Sequence, residues 1–208
     1  MLNKLIERYP ATEGIKNDIE KATEAITECF LKGGKLLLCG NGGSAADCEH
    51  ISGELMKGFL KKRPLSEEKK AEMKKRLPDI GEDILSGLQG GLPAIALPSM
   101  LSLNTAFCND ADPVLVYAQA VLSLGREDDI LVAISTSGNA QNVCAAAKTA
   151  KALGLRVIGL TGNDGGVLKG LSDICITVPE TETYRIQELH LPIYHCICAG
   201  TEKHFFSE

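Results

Sequence analysis

Leu36-Leu37-Leu38-Cys39-Gly40-Asn41-Gly42-Gly43-Ser44-Ala45-Ala46-Asp47-Cys48-Glu49-His50-Ile51-Ser52-Gly53-Glu54 is the stretch from which the fold is read. An apolar run of strand length enters a turn with three glycines and leaves on a helical pattern. Glycine permits positive φ and lets backbone N–H groups approach a ligand closely. A helix that starts near Ser44 adds the positive end of its dipole, so the turn suits an anion. His50 and Glu54 are four residues apart, which puts both on one face of that helix. Taken alone, the stretch allows two readings. It is an anion loop with an acid/base pair beside it, or a tight connection followed by incidental polar residues.

Apolar runs of strand length recur at 93–97, 129–134, 156–160 and 173–178. Helical patterns at 101–107, 113–124, 140–153 and 182–205 separate or follow them. The strands are apolar throughout rather than alternating, which marks a parallel sheet covered on both faces. The expected fold is therefore α/β, three layers with a five-stranded parallel sheet between helices. Such sheets bind ligands outside the carboxyl ends of their strands. The loops 40–44, 135–139 and 161–166 all follow strand ends and share glycine and hydroxyl chemistry. Ser135, Thr136 and Ser137, followed by Gly138 and a helix, offer hydroxyls, free N–H groups and a helix dipole to a dianionic phosphate. A helix cap would account for one of those hydroxyls, not three in a row. No G-x-x-x-x-G-K-[ST] or G-x-G-x-x-G motif follows any strand, which argues against nucleotide triphosphates and dinucleotides.

Ahead of this core, 2–9 and 13–32 read as helices broken at Tyr9-Pro10-Ala11-Thr12. Ile15, Ile19, Ala22, Ile26 and Phe30 form one apolar stripe, expected to cover the sheet or to meet a second subunit. Residues 60–91 change in composition: Lys61-Lys62-Arg63-Pro64, a charged run at 67–76, then scattered glycines. They read as a solvated, mobile surface insertion whose basic residues can steer an anionic substrate.

The chain has 208 residues, 44% apolar and 24% charged, with 4% aromatics and a net charge of −5. Few aromatics and no basic excess argue against nucleic acid as a partner. No apolar run reaches the roughly 18 residues of a membrane span, and the N-terminus lacks a signal-peptide core. A cytoplasmic protein with no membrane partner is expected. The eight cysteines include no C-x-x-C pair, so they read as reduced core thiols rather than zinc ligands.

In the last helix Gln187 and His195 are about 80° apart and share a broad face, with Pro192 between them. His190 lies about 140° from His195 and so belongs to a different site. His204 falls in a charged, solvated turn. A lone helical histidine is usually structural, so His195 gains its meaning only from company.

These residues together resemble the sugar isomerase (SIS) superfamily. The resemblance is carried by Cys39-Gly40-Asn41-Gly42-Gly43-Ser44 with His50 and Glu54, by Ile134-Ser135-Thr136-Ser137-Gly138-Asn139, by Leu160-Thr161-Gly162, and by Arg185-Ile186-Gln187-Glu188 with His195. The branch it is most similar to is the phosphoheptose isomerases, which interconvert sedoheptulose 7-phosphate and D-glycero-D-manno-heptose 7-phosphate. The likeness spans nearly all of residues 1–208 as one SIS domain. It implies a homotetramer with active sites between subunits, the helices of 1–34 serving oligomer packing. It implies Glu54 and His195 as proton shuttles, and Ser135, Thr136 and Ser137 as phosphate ligands helped by Asn41, Gly42 and Ser44. Asp110 and Gln187 would lie near substrate, and His50, Glu54, Gln187 and His195 would hold one zinc ion per subunit, as in some members.

Three departures bear on the substrate. Ala140 stands where those isomerases carry a serine. An expected arginine falls at Gly58, with Lys57 the nearest cation. The insertion at roughly 65–91 is absent from shorter members. A noncatalytic phosphosugar- or protein-binding regulator, or an isomerase or lyase for another phosphosugar, stays open on those grounds.

Overall fold

A computed structural model describes residues 1–206. Helix α1 (Leu2–Arg8) leads through a 3₁₀ turn, Pro10–Ile15, into α2 (Lys16–Leu31). Pro10 opens the turn, where its missing N–H leaves no bond unmade. Then follow β1 (Leu36–Cys39), α3 (Gly43–Met56), α4 (Glu67–Arg76), α5 (Glu82–Gly87), β2 (Ala94–Ala96), α6 (Leu101–Asp110) and α7 (Val116–Leu124). The second half adds β3 (Ile130–Ser135), α8 (Gln141–Ala152), β4 (Arg156–Gly162), α9 (Gly166–Leu171), β5 (Ile174–Val178) and α10 (Thr183–Phe205). Among the described residues no helix is long and apolar enough to cross a membrane.

The sheet has the order β2-β1-β3-β4-β5 with every pair parallel. Alternate strand residues feed two cores. Leu36, Leu38, Ile130, Val132 and Ile158 pack against α2, α3 and α10. Leu37, Cys39, Leu131, Ala133 and Val157 pack against α7, α8 and α9. Both faces are thus covered, which is why the strands read as unbroken apolar runs. The apolar stripe of α2 (Ile19, Ala22, Ile26, Phe30) is spent on the first of these cores. All eight cysteines are free thiols, six of them buried, while Cys108 on α6 is exposed.

The strand order reverses between β1 and β3, and that is where an open α/β sheet leaves a crevice at its carboxyl edge. The loops after β1 and β3, 40–43 and 136–140, are the two that open into it.

One expectation is overturned. Arg63, grouped by sequence with solvated charges, is 1% exposed. It donates from Nε to Glu202 Oε1 at 2.8 Å, from Nη1 to the Leu55 carbonyl at 2.6 Å and from Nη2 to the Glu54 carbonyl at 3.1 Å. Its neighbours close the stem of the insertion: Pro64 and Gln89 form an antiparallel bridge, and Gly90 N–H donates to the Arg63 carbonyl at 2.7 Å. Composition could not reveal this, because a buried guanidinium and a solvated one look alike in a charged run.

Candidate active site

The turn after β1 is held from behind. The buried Tyr117 hydroxyl donates to the Gly40 carbonyl at 2.8 Å, and Gly42 takes φ 55° as the residue that starts α3. Asn41 and Asn142 exchange amide hydrogen bonds at 2.8 and 2.9 Å, tying the first loop to the helix that follows the second. Ser135 is buried at the end of β3, Thr136 half-buried and Ser137 exposed, while Ser44 is buried in the first turn of α3. The backbone N–H groups of Gly42, Gly43, Ser137 and Gln141 donate to no protein acceptor among the described residues. Free N–H groups at two helix starts, with hydroxyls between them, make a cradle for a phosphate.

The third loop plays a different part. Gly162 N–H donates to the Thr136 carbonyl, Leu168 N–H to the Gly138 carbonyl and Val167 N–H to Asn139 Oδ1. Gly166 N–H goes to Asp164. The first N–H groups of α9 are therefore consumed in bracing the second loop, and the sequence expectation of three alike anion loops reduces to two. Gly138 has φ 66°, and a Cβ there would run into the Gly165 carbonyl, so the contact between these loops depends on glycine.

The acid/base residues come from α3 and α10, which lie side by side and run the same way. Gly43 faces Gln187, while His50 faces Tyr194 and His195. His50 Nε2 is 3.3 Å from Glu54 Oε1 and 3.3 Å from His195 Nε2. Lys57 Nζ reaches the other Glu54 oxygen at 3.2 Å, supplying a cation beside the carboxylate where Gly58 cannot. Burial, helped by the neighbouring His50, holds His195 below the ordinary imidazole pKa, with Glu54 pulling the other way. His195 is thus neutral near pH 7 and able to accept a proton.

His50, Glu54 and His195 come together; the other two candidates stand apart from them. Gln187 packs against Gly43, where a Cβ would lie 2.5 Å from its Nε2. It sits about 12 Å along α10 from His195, at the phosphate end of the crevice. Asp110 ends α6 in an exposed position and accepts from Asn109 at 2.8 Å, with no hydrogen bond to another candidate residue among those described.

The zinc expectation meets mixed geometry. Among the described residues no three His, Cys, Asp or Glu side chains are disposed to hold a metal ion as they stand. Yet the two 3.3 Å separations around His50 Nε2 match the edge of a tetrahedron with ligands at roughly 2.0–2.1 Å from its centre. Two imidazoles and a carboxylate are also a suitable zinc donor set. The chemistry of His50, Glu54 and His195 suits the ion, with two of their mutual separations at tetrahedral length; Gln187 at its present position does not complete the set.

His190 belongs elsewhere, as its angle on the helix predicts. It is fully buried, with Nε2 3.2 Å from the Thr161 carbonyl and Nδ1 without a partner among the described residues. Burial pushes its pKa down to about 4, against the opposing bond to Thr161. An unfolded histidine titrates near 6.5, so below about pH 6.5 the unfolded state takes up a proton that the folded state refuses. Stability should fall as pH drops from about 6.5 toward 4, by roughly 3 kcal/mol in all. Urea unfolding at pH 7 and pH 4.5 is expected to show a smaller acid loss in His190→Asn than in the wild type. Equal acid losses in the two proteins would contradict the assignment.

Four residues in the site escaped sequence reasoning: Asn142, Tyr117, Asp47 and Tyr194. Tyr117 and Tyr194 carried one usable signal, since a phenol in an apolar helix needs a partner for its hydroxyl. Asn142 and Asp47 carried none, because their partners lie 101 and 147 residues away in the chain.

A switch-point phosphate cradle beside a carboxylate–imidazole cluster defines an α/β protein of the sugar isomerase type. The chain belongs to the SIS domain family, matching it over residues 2–84 and 87–162, and to its phosphoheptose isomerase branch. The phosphoheptose isomerase of Shewanella loihica is 38% identical over 97% of this chain and 90% of its own length. Among solved structures, the phosphoheptose isomerase of Neisseria gonorrhoeae superposes with a TM-score of 0.76 at 33% identity, covering 97% of this chain and 94% of that one. The Francisella tularensis enzyme gives a TM-score of 0.78 at 32% identity, covering 94% and 91%.

Proposed function

We propose that the protein is an aldose–ketose isomerase that converts sedoheptulose 7-phosphate to D-glycero-D-manno-heptose 7-phosphate through an enediol. The observation that carries this is the clustering of His50 and Glu54, on the helix that starts from the phosphate cradle, with His195 from α10 beside it. Gly43 and His50 are about 10 Å apart along α3, so a substrate spanning cradle and cluster must be an extended phosphosugar. A module that only bound phosphate would have no use for the cluster.

In this reading Ser135, Thr136 and Ser137, with the N–H groups of Gly42 and Gly43, hold the phosphate, and Gln187 lines that end of the crevice. Glu54 takes a proton from C1, leaving the enediolate. Neutral His195 takes the proton from O1 and passes it to O2, and Glu54 then returns its proton to C2, so both residues end as they began. A carboxylate and a neutral imidazole in a partly dry site can be tuned for both transfers near pH 7. One zinc ion per subunit, held by His50, Glu54 and His195, would when bound supply Lewis-acid polarisation of the substrate oxygens. Glu54 cannot ligate tightly and act as a free base at once, so the proton transfers above are those of the carboxylate free of metal.

The homotetramer with shared sites is supported by α6. This helix buries none of its own residues fully: Leu103 and Phe107 pack in part on the second core, Leu101 is 73% exposed, and the helix ends at Asp110. An amphipathic helix derives most of its stability from packing, and a second copy would supply it beside the site.

The deciding experiment is turnover of sedoheptulose 7-phosphate by the purified protein, with and without zinc, against other ketose phosphates. Conversion of the seven-carbon substrate is expected to exceed the others. No conversion of any of them by a correctly folded protein would refute the isomerase. A monomeric mass at micromolar concentration would refute shared sites.

A further inference from the structure

Behind the three clustered side chains runs a second row of polar groups that neither phosphate binding nor proton transfer uses. Tyr194 Oη lies 3.0 Å from His50 Nδ1 and donates to Asp47 Oδ1 at 3.2 Å. The Tyr194 and His50 rings meet edge to face, with centroids 5.5 Å apart. Asp47 and His50 are three residues apart on α3, and Tyr194 crosses to them from α10. The remaining Asp47 oxygen, Oδ2, is buried and has no hydrogen-bond partner among the described residues. Among the described residues Tyr194 is therefore the only group to which this carboxylate is hydrogen-bonded.

We infer that Asp47 and Tyr194 are positioning residues that fix His50 as its Nδ1–H tautomer and present its bare Nε2 to Glu54 and His195. The inference deepens the isomerase reading above and rests on its site.

The polarity follows from counting hydrogens. A phenol has one hydrogen to give, and an ionised carboxylate has none. The single hydrogen goes to Asp47, so the Tyr194 oxygen meets His50 with lone pairs only. The contact at 3.0 Å is then a hydrogen bond only if Nδ1 of His50 carries the proton. A neutral imidazole has one N–H, so Nε2 is bare. That is the atom at 3.3 Å from both Glu54 Oε1 and His195 Nε2. A bare Nε2 is the form that accepts a proton or binds a divalent cation. Carboxylate-anchored orientation of an imidazole is a recurrent way of tuning such a ligand; here a phenol is interposed between carboxylate and ring.

A purely structural bond between α3 and α10 would make no demand on the tautomer, so the tautomer is the readout. In metal-free protein labelled with ¹⁵N-histidine, long-range ¹H–¹⁵N correlations distinguish the two forms, and His50→Gln identifies the His50 signals by their loss. The wild type is expected to show Nδ1–H. Tyr194→Phe keeps the ring and removes the oxygen, and His50 should then populate both tautomers. Zinc affinity of the metal-free protein, titrated with zinc alone, should fall roughly 10–100-fold in that variant, and kcat should fall with KM little changed.

Asp47→Leu gives the opposite and sharper sign. With its acceptor gone, Tyr194 donates to Nδ1, and the His50 proton moves to Nε2. This second variant keeps the test alive should Tyr194→Phe fold poorly. A wild-type His50 that carries its proton on Nε2, or variants with unaltered tautomer and zinc affinity, would overturn the inference. A wild type inactive on every phosphosugar would instead strike the isomerase reading, and the tautomer result would stand apart from it.

Discussion

Glu54→Gln is expected to lower kcat for sedoheptulose 7-phosphate by roughly 10²–10⁴-fold, the usual contribution of a positioned general base, while KM stays within a few fold. Glutamine keeps the size of the side chain and can still accept from Lys57, now 3.2 Å from Glu54 Oε2. It has no lone pair basic enough to take a carbon-bound proton. In the proposed binding mode the phosphate is held two to three turns away, at the start of α3, so binding should survive. Three measurements fix the interpretation: kcat and KM by product assay, and phosphosugar affinity by calorimetry in the absence of turnover. A variant with near wild-type kcat would remove Glu54 from the role of base. A variant that loses substrate affinity as severely as kcat would mean that the carboxylate binds substrate rather than moving its proton. Zinc affinity should fall as well if Glu54 Oε1 is a ligand. Restoring zinc saturation without restoring kcat would separate the two duties of this side chain.

How far the chain's own sequence reached depends on the range of the interaction in question. The sheet was legible because strands buried on both faces cannot alternate, so Leu36–Cys39 and Ile130–Ser135 read as apolar runs with all their residues buried. The two loops at the strand ends were legible for a local reason as well: three adjacent hydroxyls, or three glycines in four residues, exceed what a cap or a turn requires. The angular argument for Gln187 and His195 was sound about their face and silent about their height. Eight residues of helix separate the phosphate end from the cluster end of one crevice. What stayed hidden was pairing across the chain. Asn139 looks like an anion-loop residue, yet its side chain serves the start of α9. Asp47 and Tyr194 are 147 residues apart, and no periodicity in either helix says that they meet. Arg63 is the plainest case, since the charged run in which it stands argued for solvent.

Arg63→Met should destabilise the protein by about 3–5 kcal/mol, the range for breaking a buried ion pair by removing one partner. For a chain of this size that is a drop in Tm of roughly 10 °C or more. Methionine has a similar reach and is apolar, so the effect is one of lost pairing, not of a large void. The guanidinium donates to two carbonyls at the end of α3, those of Glu54 and Leu55, which no further turn of helix satisfies; it shares the Leu55 carbonyl with the Leu92 N–H at 2.9 Å. It also lies 4.5 Å from the Phe206 ring centroid, a cation–π contact that methionine forfeits. Glu202 would keep its bonds from the Phe59 and Leu60 N–H groups at 2.8 Å but lose its counter-charge while 1% exposed. Burial pushes the Glu202 carboxyl up, and those N–H groups together with Arg63 outweigh it, so the native pKa lies below the ordinary value. Its stabilisation is therefore present above the unfolded pKa and is lost as pH falls through the native one. Arg63→Met should shrink that acid-side loss as well as lowering stability at pH 7. Replacing both partners, Arg63→Met with Glu202→Gln, should recover part of the deficit, because no uncompensated charge is left and the amide oxygen can still accept from the Phe59 or Leu60 N–H group. Urea midpoints of the three proteins at pH 7 decide the matter, and an unchanged midpoint in Arg63→Met would refute the buried pair as a stabilising element. The same variant bears on catalysis through Glu54, whose own carbonyl Arg63 holds. A frayed end of α3 moves that carboxylate away from His50, so kcat should fall even at temperatures where Arg63→Met is fully folded.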